Sequence, residues 1–182
     1  MAFTDNNTII TQTKKWVKDV VVGCNFCPFA AREVKRNTIY YKVIESATTQ
    51  KILETSTSIF NHLDNDNAIE TALLITPHNY TNFIDFLNIV DKVEKILQKK
   101  GYDGVYQIAS FHPQYIFAGS NNIDAANYTN RSPYPMLHFI REESITRAVN
   151  SYPNINDVPN KNIAFAEEKG LEYMQKLLAS CM

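Results

Sequence analysis

The most constraining feature of this chain is a switch of hydrophobic period that recurs along its middle. Three short runs, 37–44 (NTIYYKVI), 71–75 (TALLI) and 105–111 (VYQIASF), are rich in β-branched and aromatic side chains. That composition suits the pleated surface of a sheet. Between them, Ile52/Leu53, Ser56, Ile59/Phe60 and Leu63, and then Phe83, Phe86/Leu87, Val90, Val93 and Leu97, recur at helical spacing. The second helix is the clearer one, with Thr81 placed as its N-cap, Lys99 and Lys100 in its last turn and Gly101 as its stop. The order over 37–111 is β-α-β-α-β, which implies a partly parallel sheet with right-handed crossovers. The uninterrupted apolar run 71–75 predicts a strand buried on both faces.

The flanks extend this frame. Ile9, Thr13, Trp16/Val17 and Val20/Val21 predict a helix over 8–22, stopped at Gly23. Pro28 suits the first turn of a further helix, where its missing N–H costs nothing. Cys27 then stands at the electropositive end of that helix, a place that favours a thiolate. Residues 135–140 predict a fourth strand, REES the start of a short helix, 152–160 a loop, and Ile163, Leu171, Met174 and Leu178 a single helix over 160–179. The expected architecture is one α/β domain over 1–182, with α+β as the alternative. Its mixed sheet has about four strands, helices pack on it, and a long polar loop over 112–143 covers the strand ends.

Composition bounds the function. With 182 residues and 45% hydrophobic side chains, the chain can bury a substantial core. Eighteen Lys and Arg stand against nineteen Asp and Glu, so no basic stripe points to nucleic acid. The opening MAFTDNNT has no signal layout, and no run approaches the ~20 apolar residues of a membrane span. Three cysteines, two of them in a C-x-x-C, make no disulfide framework, and a cytoplasmic location is expected. Walker, dinucleotide, HExxH and GxSxG patterns are all missing, so no nucleotide cofactor motif is present.

Chemistry concentrates in 111–143, FHPQYIFAGSNNIDAANYTNRSPYPMLHFIREE, where polar groups interleave with aromatics as a ligand pocket requires. His112 stands at a strand end, ahead of Pro113, and open α/β sheets gather ligands beyond such ends. Its imidazole can exchange protons near neutrality or bind a metal. His138 is a second candidate, or else a satisfied core histidine on a strand. Arg131 and Arg141 can each grip a carboxylate or phosphate through a planar fork. They can equally act as internal clamps on Asp124 and Glu142. Asn127, Tyr128 and Asn130 can orient a ligand. Glu142 is a carboxylate candidate, although it also suits a helix start. Cys24 and Cys27 could form a redox dithiol or half a zinc site, or Cys27 could act alone in a pocket.

Several of these segments together resemble the bacterial domain-of-unknown-function 1415 family. They are Cys27-Pro28-Phe29, Glu70-Thr71 with Leu73-Leu74 and Pro77, 107–113 (QIASFHP), 127–135 (NYTNRSPYP), and Leu137-His138 through Arg141-Glu142-Glu143-Ser144. The likeness runs from about Thr13 to Asn162. It implies a signature on Cys27, His112, Arg131, His138, Arg141 and Glu142, with Cys24 incidental, and it implies no particular activity.

Three functions are expected in order. The first is an enzyme acting on a small anionic metabolite, with Cys27 as nucleophile or acid, His112 as general acid/base and Arg131 and Arg141 holding the anion; His138 and Glu142 are further catalytic candidates. The second is a zinc or iron site using His112, His138, Cys27 and Glu142. The third is a non-catalytic module binding a ligand or partner.

Overall fold

The computed structural model describes residues 5–151 and 155–182. Among them are seven helices, α1 (Asn6–Trp16), α2 (Ala30–Arg36), α3 (Thr49–Asn65), α4 (Phe83–Lys99), α5 (Glu142–Ser151), α6 (Val158–Lys169) and α7 (Leu171–Ala179). Four strands form one sheet: β1 (Ile39–Val43), β2 (Thr71–Ile75), β3 (Tyr106–Phe111) and β4 (Met136–Arg141). The chain is a single α/β domain with a mixed sheet.

The spatial order is β1-β2-β4-β3. β1 and β2 are parallel, and β4 is antiparallel to both β2 and β3. The first three strands therefore point the same way, as the β-α-β-α-β pattern predicts. What periodicity alone does not reveal is that the last strand enters between β2 and β3. A strand with neighbours on both sides is buried on both sides: Met136, Leu137 and Phe139 are 0%, 1% and 0% exposed. Insertion also sets the register that matters for chemistry, placing His138 opposite Leu73 of β2 and Ala109 of β3.

Because successive side chains on a strand alternate faces, the sheet has two cores. On one face Ala72, Leu74, Leu137, Phe139, Tyr106 and Ile108 pack against the apolar stripes of α3 and α4. On the other, Leu73, Ile75 and Met136 pack beneath Trp16, Val17, Val20 and Val21, with Ala166 and Met174 from the last two helices. α4 is opened by Asn82, one residue after the expected Thr81. The Asn82 side-chain oxygen accepts from the amides of Ile84 and Asp85 at 2.9 and 3.2 Å.

Two expectations need correction. The helix over 8–22 is continuous but not uniform: from Val17 to Val22 it widens into a π-helix. The amide of Gly23 reaches back five residues to Lys18, and a Cβ at Gly23 would collide with the carbonyl oxygen of Asp19. Gly23 thus permits the wide turn as well as ending the helix. The helix expected over 160–179 is two helices that meet at Gly170, whose φ of +79° and ψ of 162° suit only glycine. Of the loop expected over 152–160, the first three residues lie outside the described residues, and the helix after it begins at Val158. No helix among the described residues is long and apolar enough to cross a membrane.

Candidate functional site

A cavity of about 450 Å³ opens over the sheet face that carries His138. Its floor is built by alternate residues of three neighbouring strands, Thr71 and Leu73 of β2, His138 and Ile140 of β4, Ala109 and Phe111 of β3. Trp16 and the π-turn residues Val17 and Val21 form one wall, and π-turns inside helices often mark functional sites. The turn Cys27-Pro28-Phe29-Ala30 leads into α2 above it, while Arg32, Glu33, Glu70, Ser144 and Arg147 carry the charge and polarity of its lining. Apolar walls with a few polar groups are the usual composition of a small-molecule site, and this volume lies within the usual range.

His138 sits deep in this cavity. Its Nε2 is 2.6 Å from the hydroxyl of Thr71, which is also 2.6 Å from the carbonyl oxygen of Phe139. No hydrogen bond ties Nδ1 to a described residue. Burial lowers the pKa of the imidazole to about 4, so the ring is neutral at pH 7. Phe111 lies beside the ring with centroids 5.9 Å apart, and Trp16 meets Phe111 edge-on at 5.0 Å. The indole N–H of Trp16 is held by the carbonyl of Arg131 at 3.0 Å, which fixes that wall.

Cys27 borders the same cavity, and its thiol is a free one. Burial raises its pKa above the ordinary thiol value and outweighs the amides of Phe29 and Ala30, which favour the thiolate; the charge of Glu33 adds to the rise. This corrects the expectation of a favoured thiolate. α2 begins only at Ala30 and has seven residues, so the Cys-Pro-Phe segment is a turn and burial dominates.

Among the charged groups of the lining, Glu70 accepts from the Ser144 hydroxyl at 2.6 Å and pairs with Arg147 at 3.4 Å. Glu33 accepts from the Thr38 hydroxyl at 2.5 Å. Arg32 makes one loose pair with Glu33, 3.6 Å through Nε.

The other residues singled out from sequence lie elsewhere. His112 is fully buried beyond β3 on the opposite side of the sheet, 5.3 and 5.2 Å from the rings of Phe83 and Phe86 on α4. Its Nε2 donates to the carbonyl of Tyr80 at 2.8 Å and its Nδ1 accepts from the Gln114 amide at 2.9 Å. Both nitrogens have backbone partners, burial lowers its pKa, and it is not part of the cavity that Cys27 lines. Arg131 donates to the carbonyls of Tyr115 and Asn122 and stacks on Tyr128, 4.5 Å from the ring centre. Asn127 joins the Phe117 amide to the Asn121 carbonyl, and the Asn130 carbonyl accepts from the His112 amide. Arg141 clamps the carbonyl of Leu63 in the last turn of α3 and those of Asp66 and Ile69 just beyond it. Glu142 heads α5, its amide on the Val105 carbonyl, outside the cavity lining.

The loop at the carboxyl ends of β1, β2 and β3 is thus cross-linked to itself and to neighbouring backbone, and the cavity lies on the sheet face instead of beyond those ends. The metal set drawn from His112, His138 and Cys27 is divided by the sheet. Among the described residues no three His, Cys, Asp or Glu side chains cluster as ligands. A second hollow of about 660 Å³, open to solvent beside the end of β1, is lined by Lys42, Glu45, Lys51 and Glu54 among others and contains neither His nor Cys.

The match to known families covers this whole arrangement, from the first helix to the last. The chain belongs to the family described as a protein of unknown function (DUF1415), matched over residues 8–176. No curated protein and no solved structure matches it. Of the cavity residues, sequence reasoning about chemistry selected Cys27 and His138 but not Thr71, Arg32, Glu33, Glu70 or Arg147. Glu70-Thr71 stood within the family-like segments, which was the signal available. The remaining three sit on helices, where a charged residue at an exposed position carries no mark of its own.

Proposed function

We propose that the chain is a cytoplasmic enzyme acting on a small molecule whose apolar body fills the cavity over β4, with Cys27 and His138 as the reacting pair. One observation carries this reading: His138, neutral and held at Nε2, has no hydrogen-bond partner at Nδ1 among the described residues and shares an apolar cavity with a free thiol. A thiol held protonated must lose its proton as it attacks, and the neutral imidazole, too weakly basic to take that proton beforehand, takes it in concert with carbon–sulfur bond formation. As the Cys27 sulfur bonds to the carbonyl carbon of the substrate, its proton passes to the imidazole and the C=O π pair moves to the oxygen. In an ester or thioester the carbonyl then re-forms as the C–O or C–S bond to the leaving group breaks, and that group takes the proton back from the imidazole. Arg32 at the cavity carries the anionic end of the molecule, in place of Arg131 and Arg141, which lie outside the cavity lining and bond to backbone carbonyls there. Three free thiols fit a reducing compartment.

The test is a panel of small carboxylates bearing ester, thioester or aldehyde groups together with a hydroxyl or N–H, followed by intact mass and turnover. A covalent adduct on Cys27, or turnover lost in both Cys27→Ser and His138→Gln, supports the enzyme reading. A second reading, ligand binding without chemistry, is favoured by the raised thiol pKa. It predicts that Cys27→Ser leaves binding of the same panel unchanged and that no member is turned over.

A further inference from the structure

The hydroxyl of Thr71 stands between two partners at 2.6 Å, the carbonyl oxygen of Phe139 and Nε2 of His138. A hydroxyl has one proton to give, and a carbonyl oxygen can only accept. Were that proton given to His138, two oxygen acceptors would face each other at 2.6 Å inside the sheet with nothing between them. The arrangement that satisfies both contacts sends the Thr71 proton to Phe139 and an N–H from His138 Nε2 to Thr71. The position is fixed by the strands themselves, since Thr71 opens β2 and His138 lies two residues along the antiparallel pairing, opposite Leu73.

We propose that Thr71 is a positioning residue that holds His138 in the Nε2–H form, so that bare Nδ1 is the atom offered to the ligand and the site takes molecules that present a hydrogen-bond donor to it. The inference rests on the cavity being the functional site. A hydroxyl, N–H or thiol group fits that atom; a carboxylate there would set two acceptors against each other in an apolar enclosure. The anionic end of the ligand therefore lies toward Arg32 and its donor end toward His138.

The experiment is ¹⁵N NMR of the imidazole rings, because protonated and bare ring nitrogens differ widely in chemical shift. The wild-type protein is expected to show His138 with Nε2 protonated and Nδ1 bare at pH 7. Thr71→Val should turn the ring into a mixture of both forms, and Thr71→Ser, which keeps the hydroxyl, should restore the single form. A protonated Nδ1 in the wild type, or an unchanged ring in Thr71→Val, overturns the role of Thr71. If Thr71→Val does not fold, the comparison of wild type with Thr71→Ser decides: the same single Nε2–H form in both supports the proposal, and an Nδ1–H form in either overturns it.

The ligand half uses 4-hydroxyphenylacetate and 4-methoxyphenylacetate, which share ring and anion and differ in the donor. The hydroxyl compound should bind about tenfold more tightly and move the Nδ1 resonance. Equal affinity, or no response to either, overturns the donor requirement. These outcomes are separate from those of the enzyme reading, which stands or falls on turnover and on Cys27 adducts.

Discussion

Two regions of this molecule carry the same kinds of side chain to opposite ends. The loop over 112–135 holds His112, Asn127 and Arg131: both ring nitrogens of His112 and both amide atoms of Asn127 are on backbone groups, and Arg131 gives Nε and one terminal nitrogen to backbone carbonyls. The cavity over β4 holds His138 and Cys27, where one ring nitrogen and one thiol face a largely apolar enclosure. A polar residue is structural when the fold uses its whole hydrogen-bonding capacity and is available for chemistry when the fold leaves part of it over. Residue type does not separate the two cases; unused valence does.

That contrast can be broken most directly in the loop. Arg131→Met keeps much of the stem but leaves the carbonyls of Tyr115 and Asn122 without a donor, and it should cost about 3 kcal/mol by denaturant titration. Ligand binding in the cavity, measured on the folded fraction, should be unaffected. A cost below about 0.5 kcal/mol, or a loss of cavity binding at full stability, would move Arg131 back into the site.

The second effect depends on pH. His138 has a folded pKa of about 4 against an ordinary 6.5, and burial lowers that of His112 in the same direction. A depressed histidine takes up its proton in the unfolded chain first, so stability is full above about pH 6.5 and declines as pH falls toward 4. His138 contributes up to about 3 kcal/mol of that decline. His138→Gln, which can still donate to Thr71, should flatten the stability profile across this window. An unchanged slope would show that the ring is already charged in the folded protein.

Smaller effects sharpen the picture of the cavity. Cys27→Ser should change stability by less than about 1 kcal/mol while abolishing adduct formation and turnover, if Cys27 is the nucleophile. Arg32→Ala should leave stability within about 0.5 kcal/mol, since its ion pair is loose and its side chain 57% exposed. It should weaken binding of carboxylates more than of matched amides, and equal weakening would remove Arg32 as the holder of the anion.

Much of the fold was legible in sequence because it rests on local period. The strand over 71–75 is found with the predicted bounds and α3 follows the stripe read for it, while α4 buries Phe83, Phe86, Val93 and Leu97 of its stripe together with Ile89, which the stripe left out, and exposes Leu87. Sheet order was less so: nothing in the composition of 135–140 says that it slots between β2 and β3. The single helix read over 160–179 failed at Gly170, where an apolar stripe continues across a backbone turn that only glycine permits. The π-turn at Val17–Val22 was invisible for a related reason, since its side chains keep an apolar pattern while the backbone widens. In the site, Cys27 and His138 were recognisable as candidates by type, but not as neighbours of one cavity. Sequence favoured His112, at a strand end ahead of Pro113, and allowed His138 to be a satisfied core histidine; only the hydrogen bonds show that the backbone takes both nitrogens of His112 and leaves Nδ1 of His138 without a partner among the described residues. Thr71 looked like an ordinary strand residue, and its meaning comes wholly from the pairing of β2 with β4.

The most direct test of the central claim is the rate at which Cys27 is alkylated by a small apolar electrophile, N-benzylchloroacetamide, followed by intact mass across pH 6 to 9 in wild type and His138→Gln. If the two side chains work as a pair, the wild type is labelled on Cys27 at neutral pH, well below the raised pKa of an isolated buried thiol, and His138→Gln is at least about tenfold slower there. Identical rates in the two proteins, rising only at high pH, would contradict the pairing and leave Cys27 as a wall of the cavity.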